Sequence, residues 1–354
     1  MGNFPKENYD IVIIGAGPSG AATAKYLVNE GFNVLVIEKK KLPRYKICSG
    51  IIFEKSQEII EKHFGKIPQS VYATPNLLKG VRLWTDTKHF SDWPFSKYGG
   101  APNIWRSEFD YWLIKNSGAE IKDCCLLNGF TDHDNFIALK CFDITNKEIM
   151  KIKCKYLVSA EGSKSVIRAK LDPEFEKDIN WFIAYQNYYE GSCDLDPYFY
   201  HGFLEQQYGD VYAWFSVKDN LLVFGIAVKK GNKISPYLNK YTEMLEKRFG
   251  LKLRKLARKT SCMGNNMCAT GRFYLGKGNI LIVGEAAGFL NAFGEGISCA
   301  LTSGLYAAEA ISKSIKYGDN ALETYTELTK TERRQTRISW KLGAKVAGRE
   351  LLPI

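Results

Sequence analysis

Gly15, Gly17 and Gly20 stand in the run Gly-Ala-Gly-Pro-Ser-Gly directly after the apolar residues 11–14, and Glu38 follows a second apolar run at 34–37. Each position has a task in dinucleotide binding. Gly15 permits a tight turn, Gly17 lets backbone approach a pyrophosphate, and Gly20 lets a helix pack closely on a strand. Residues 21–29 read as that helix, with its amides and dipole facing phosphate and Gly31 stopping it. A carboxylate ending the second strand accepts hydrogen bonds from an unphosphorylated ribose, which points to FAD or NAD rather than NADP. Two more glycine turns lie far along the chain: Glu161-Gly162 within Ser159–Arg168, and Gly284-Glu285-Ala-Ala-Gly288 followed by Gly294-Glu295-Gly296-Ile297. Cys48-Ser49-Gly50 falls near the carboxyl end of the expected sheet, where open α/β folds take their ligands.

These blocks need a buried parallel sheet to hold them. Residues 11–14, 34–37 and 156–160 are continuous apolar runs suited to strands covered on both faces, and 278–283 returns the chain to the same sheet. The 51–64 stretch reads as an amphipathic helix, and 298–313 as a helix of small residues. A further helix begins near Arg106, with Ser107 as its N-cap and Asp110 at the capping-box position. Strand patterns at 71–100 and alternating aromatic segments between 181 and 228 suggest an antiparallel sheet, followed by a helix over 234–249. The expected fold class is therefore α/β: a Rossmann-like dinucleotide-binding domain with an inserted antiparallel β-sheet substrate domain and a C-terminal helical segment. The first domain takes residues 1–70, 101–170 and 266–325, the second 71–100 and 171–265, and a basic helical tail 326–354. At 354 residues the chain is long enough for both.

A 45% hydrophobic and 25% charged composition is ordinary for a soluble globular protein. No apolar run reaches about 18 residues, so no membrane span is expected, and the first residues carry no apolar signal core, which makes cytoplasm the expected compartment. Nine cysteines show no zinc spacing and the four histidines are scattered, so reduced thiols and no metal site are expected. Redox chemistry must then come from an organic cofactor. Of the net +11 charge, much is concentrated between Lys229 and Lys259, where eleven Lys/Arg meet only Glu243 and Glu246. A solvated face is the ordinary reading of such a block; peripheral contact with anionic lipid is the other. No nucleic-acid motif accompanies the charge, and oligomeric state is not legible.

The three glycine blocks together resemble the FAD-binding flavoprotein superfamily of para-hydroxybenzoate hydroxylase. Within it, the segment from Pro43 through Cys48-Ser-Gly50 and Tyr212-Ala-Trp214 is similar to the geranylgeranyl reductase family. The resemblance implies that Gly15, Gly17, Pro18, Ser19 and Gly20 wrap the FAD pyrophosphate, with Glu38 and Lys39 at the adenosine ribose. It places Cys48, Ser49, Gly50, Arg106, Glu161, Gly162, Glu285, Gly288, Gly294, Gly296 and Ile297 against the cofactor, and Tyr212 with Trp214 along an apolar substrate channel. Cys48 is the candidate for substrate-side chemistry. The chain departs from the family pattern in carrying Glu285 and Glu161 where Asp is usual, and Phe-Ser-Val-Lys after Trp214 where an aromatic and proline are usual.

The function this implies is an FAD-dependent oxidoreductase that reduces C=C bonds of an isoprenoid or other apolar substrate, fed by NAD(P)H or a ferredoxin. Two other readings use the same motifs: an O₂- and NAD(P)H-dependent aromatic hydroxylase, and an electron carrier to quinone. A halogenase is disfavoured by the missing Trp-x-Trp-x-Ile-Pro block.

Overall fold

The computed structural model describes residues 8–86 and 88–351. Its first sheet is built around Asn8–Ile14, which pairs in parallel with Val34–Ile37 on one side and with Glu148–Ser159 on the other. Glu120–Lys122 extends the sheet beyond Val34–Ile37, and Ile280–Ile282 beyond Glu148–Ser159. The apolar runs are buried, as strands covered on both faces require. From its first strand the chain steps one way to Val34–Ile37 and later the other way to Glu148–Ser159. That reversal opens a crevice at the carboxyl end of Asn8–Ile14.

Two helices meet over this sheet. Pro18–Asn29 begins immediately after the first glycines, and Ile297–Tyr317 follows the last glycine block. They approach backbone to backbone: a Cβ on Gly304 would stand 2.4 Å from the Ser19 carbonyl oxygen, and Thr23 Oγ1 donates to the Gly304 carbonyl at 3.1 Å. This contact is the reason for the small residues of the later helix, which brings its N-terminus beside the first one's.

The second sheet has seven strands, in the order Lys252–Asn265, Trp181–Ser192, Leu221–Lys229, Ala213–Lys218, Phe199–Phe203, Gly80–Trp84, Phe90–Pro94. One pairing departs from the expected antiparallel pattern: Phe199–Phe203 runs parallel to Gly80–Trp84. The Ile234–Phe249 helix covers one face, burying Tyr241, Met244 and Leu245 against Phe203, Phe215 and Phe224. On the other face Trp214 lies across from Gly225, where a Cβ would sit 2.5 Å from the indole. The basic block at 229–259 is divided between that helix and the outer strand Lys252–Asn265. The strand's exposed cations discourage edge-to-edge pairing.

Several element boundaries differ from expectation for identifiable reasons. The helix expected from 51 spans Glu54–Phe64, because Ile51 is held in a bridge to Asn103. The Arg106–Lys115 helix is capped by Trp105 with no side-chain bond, and Ser107 lies inside it. Asp110 does not close a capping box; its carboxylate is taken by Arg106 and Arg44. The tail is two helices, Ala321–Leu328 and Lys330–Ala347, broken at Thr329, whose hydroxyl bonds back to the Tyr325 carbonyl at 2.8 Å. Its last three positions, 352–354, lie outside the described residues.

Candidate functional site

A cleft of about 460 Å³ lies between the two sheets. At one end it meets the N-terminus of Pro18–Asn29. That terminus has no side-chain cap, and the amides of Gly17, Ser19 and Gly20 meet no protein acceptor among the described residues. Unpaired donors on a buried helix end are costly unless a ligand takes them, and an anion is the ligand that suits them. Lys39, Lys40, Arg44 and Lys46 line the same end. Glu38 Oε2 accepts from the Ala16 amide at 3.1 Å and from Arg44 Nε at 3.0 Å, while Oε1 accepts from the Lys40 amide and keeps capacity for a hydroxyl. Diphosphate donors beside a ribose acceptor fit a dinucleotide.

Arg44 also reaches Asp110 at 3.1 Å, and Arg106 grips the same carboxylate with two bonds of 2.9 Å. Burial opposes the Arg106 charge, but Asp110 and Cys48 outweigh it and raise its pKa. A fixed cation therefore stands beside Cys48. A sequence reading could have found Asp110 from its four-residue spacing to Arg106; Arg44 lies in the Pro43–Gly50 segment that carried the resemblance, which gave it no role.

The two later glycine blocks reach the cleft by different means. Glu161 lines it, but its carboxylate accepts from Ser159 and Ser165 hydroxyls and from the Val166 and Ile167 amides. Its side chain caps the Val166–Leu171 helix, so the extra methylene relative to Asp serves that reach. Fully buried Arg168 bonds Glu176 and the carbonyls of Ser163 and Ala286, tying the Glu161 turn to the 284–288 loop. Glu285 lines the cleft; burial raises its pKa against the opposing pull of Lys46, Arg106 and Arg168. Beyond it, Glu295 caps the Ser298 amide at 2.9 Å and leaves those of Gly296 and Ile297 without a protein acceptor among the described residues.

The Cys48 loop is pinned from behind. The Gly50 amide donates to Cys48 Sγ at 3.3 Å, and the Gly50 carbonyl accepts from the Ile104 amide at 2.8 Å. Gly50 has φ +74°, and a Cβ there would lie 2.2 Å from the Ile104 oxygen and 2.6 Å from Lys218 Nζ. Lys218, itself 1% exposed, donates to Asn103 Oδ1 at 2.6 Å and to the Ile104 carbonyl at 2.7 Å. Burial pushes its pKa down to about 7. Between about 7 and its ordinary 10.5 the unfolded chain holds a proton that the folded chain has released, so folding stability rises with pH across that window. We expect urea titrations to show this rise for the wild type and its loss in Lys218→Met; parallel stability–pH curves would contradict the assignment.

Away from the nucleotide end the walls turn aromatic and apolar, with Phe182, Val211, Tyr212, Trp214, Phe293 and Trp340 among them. A hydrogen-bond chain runs through this wall. Trp214 Nε1 donates to Gln186 Oε1 at 2.8 Å, which turns the amide nitrogen toward Tyr188, where Nε2 donates to the hydroxyl at 2.5 Å. The Tyr188 hydroxyl meets that of Tyr45. Because Tyr188 accepts from Gln186 and is buried, its own proton goes to Tyr45 oxygen. The Tyr45 proton is then free to point into the cleft, which Tyr45 lines. Burial raises the pKa of Tyr45, and the Arg258 guanidinium, 4.2 Å above its ring, pulls it back.

Of the residues assigned from sequence, Gly15, Gly17, Pro18, Ser19, Glu38, Lys39, Cys48, Ser49, Arg106, Glu161, Gly162, Glu285, Gly294, Gly296, Ile297, Tyr212 and Trp214 line the cleft. Gly20, Gly50 and Gly288 do not. Gly20 serves packing instead, since a Cβ there would stand 2.0 Å from the Gly15 oxygen. Tyr45, Gln186, Phe293 and Trp340 line it without having been singled out. The nine cysteines are all free, and among the described residues no cluster of His, Cys, Asp and Glu could hold a metal ion.

Comparison with known proteins agrees with this construction. The FAD binding domain family matches residues 8–336. An uncharacterised protein of Methanosarcina barkeri is 30% identical over 327 residues, 88% of this chain and 76% of that protein. Protein CbrA of Escherichia coli is 27% identical over 309 residues, 84% of this chain and 80% of its own length. Among solved structures, a geranylgeranyl bacteriochlorophyll reductase-like protein of Thermoplasma acidophilum superposes with a TM-score of 0.82 at 21% identity, covering 98% of this chain and 89% of that one. The myxobacterial chondrochloren halogenase CndH gives 0.73 at 17% identity, covering 96% and 82%. The fold expected from the para-hydroxybenzoate hydroxylase-like resemblance is the fold found.

Proposed function

We propose that this chain, which belongs to the FAD binding domain family and is a flavoprotein, reduces carbon–carbon double bonds in an isoprenoid or related apolar lipid. The observation that carries this reading is the division of one continuous cleft. Charged groups and unpaired amides gather at the nucleotide end, while Phe182, Val211, Leu290, Phe293 and Trp340 meet Tyr212 and Trp214 at the other. An apolar chain buried there loses its contact with water without stranding a charge. The likeness to a geranylgeranyl bacteriochlorophyll reductase-like protein supports the same substrate class.

FAD, when bound and reduced, supplies a hydride to one alkene carbon; the two electrons come from NAD(P)H or a ferredoxin. The chain's own residues do the rest. The Gly17 and Ser19 amides, with Arg44 and Lys46, would hold the diphosphate, and Glu38 would hold the ribose. The amides of Gly296 and Ile297 open a helix whose dipole favours negative charge on the reduced cofactor. The second alkene carbon needs a proton, and Tyr45 is placed to donate it: its hydroxyl accepts from Tyr188 and so has its own hydrogen to give. Cys48, beside Arg106, is the second candidate for substrate-side chemistry. Tyr212 and Trp214 hold the substrate and exclude water.

The test is to reduce the yellow holoprotein without oxygen, add polyprenyl lipids and follow products by mass spectrometry. A gain of two hydrogens per double bond supports the reading. Hydroxylated product that forms only with O₂ and NAD(P)H would replace it with a monooxygenase, and stoichiometric quinone reduction without saturated lipid would replace it with an electron carrier.

A further inference from the structure

The Lys330–Ala347 helix carries two unlike faces. Its inner face buries Glu332, Thr336, Trp340 and Gly343. Trp340 donates its indole N–H to the Leu290 carbonyl at 2.6 Å and lines the apolar end of the cleft. Gly343 allows close approach, since a Cβ there would lie 2.9 Å from Ala292 Cβ. The outer face is exposed and carries Arg334, Arg337, Ile338, Lys341, Leu342 and Lys345. At 100° per residue these six fall within one stripe opposite the buried side chains. Ile338 is 43% exposed and Leu342 55% exposed, one turn apart among the cations.

Among the described residues no carboxylate pairs with the cations of this face. Arg334, Arg337, Lys341 and Lys345 form no ion pair among the described residues; of the helix's exposed cations only Lys330 has an acidic neighbour, Glu327 at 3.7 Å. Glu332 is turned inward to Lys55. Two exposed aliphatic side chains set among four cations that form no ion pair among the described residues make an amphipathic stripe, and a protein core would not tolerate those cations. A surface with negative headgroups above an apolar layer matches both features at once. Arg349, just past the helix, donates to the carbonyls of Leu204, Asp210 and Val211 and so fixes the end of the helix to the second sheet.

We propose that the outer face of this helix docks the protein on an anionic phospholipid bilayer. The contact rests on the helix alone. Its purpose, delivery of a membrane-dissolved substrate to the cleft walled by Trp340, rests on the reductase reading above. The basic block at 229–259 is then secondary: its strand half is an ordinary charged sheet edge, and Arg258 is spent on the ring of Tyr45.

The test is co-sedimentation of the FAD-loaded protein with phosphatidylcholine vesicles, with and without phosphatidylglycerol. We expect binding only to the phosphatidylglycerol vesicles. Arg334→Gln/Lys341→Gln/Lys345→Gln should weaken it by about tenfold or more, and Ile338→Ser/Leu342→Ser should also reduce it. Because all five side chains are exposed, flavin absorbance and melting temperature should not change. Wild-type protein that stays in the supernatant with phosphatidylglycerol would overturn the proposal. So would binding that survives both helix variants but is lost in Lys240→Gln/Lys255→Gln. Since lipid binding is read without turnover, these outcomes are independent of whether the protein reduces double bonds.

Discussion

Gly17→Glu should give a folded, colourless protein. Gly17 has φ −88°, a conformation open to any residue, and the nearest atom to an added Cβ is Arg44 Nη2 at 3.5 Å. The side chain can therefore enter without disturbing the strand or helix, unlike one at Gly20, which would be driven into the Gly15 oxygen. What it brings is a carboxylate at the end of the cleft where the Gly17 and Ser19 amides and Arg44 suit a phosphate. A like-charge contact near 4 Å at an effective dielectric of about 20 costs about 4 kcal/mol. That is roughly a thousandfold in affinity before screening, so a loss of at least a hundredfold is expected. Apoprotein titrated with FAD, followed by flavin fluorescence and circular dichroism, checks both halves. Retained flavin affinity would contradict the placement of the diphosphate at this helix end.

Tyr45→Phe should lower alkene reduction by about 10²- to 10⁴-fold, the usual range for a lost general acid. The flavin should still bind, because Tyr45 makes no bond to Glu38, Arg44 or the helix N-termini in the structure. Reduction of the flavin by its donor should also keep its rate, since the deleted proton is needed only when the substrate carbon is protonated. The substitution also leaves the Tyr188 hydroxyl without its acceptor, a polar cost on the order of 1–3 kcal/mol in stability. Tyr188→Phe separates the two effects: it breaks the chain but leaves the Tyr45 hydroxyl in the cleft, and should reduce turnover less. Equal turnover of wild type and Tyr45→Phe would remove Tyr45 from the chemistry.

The cofactor half of this protein was legible because backbone geometry there dictates residue type. Gly15 and Gly20 are demanded by contacts of backbone with backbone, and such demands leave a local spacing. The α/β class and the buried parallel strands followed for the same reason. Much of the aromatic half of the cleft was hidden because its contacts join distant positions with no common period. Tyr45 and Tyr188 lie 143 residues apart, and Trp340 enters the cleft from a tail that reads only as basic. Lys218 resembles a surface lysine until the Ala101–Ile104 strand closes over it. Glu161 has a second task that its glycine block did not show. It lines the cleft, but its carboxylate also accepts from the start of the Val166–Leu171 helix; the following Ser165 and apolar run were the available clue. Ser107 failed as a cap because burial of Asp110 with two arginines outweighs a local preference worth about 1 kcal/mol.

The most direct measurement of the central claim is a single-turnover experiment without oxygen. Purified holoprotein is reduced, mixed with a polyprenyl lipid in phosphatidylglycerol vesicles, and followed at once by flavin absorbance and product mass. The account predicts that flavin colour returns only when lipid is added, with one saturated double bond formed per flavin reoxidised. Flavin that stays reduced beside the lipid until air is admitted would contradict it.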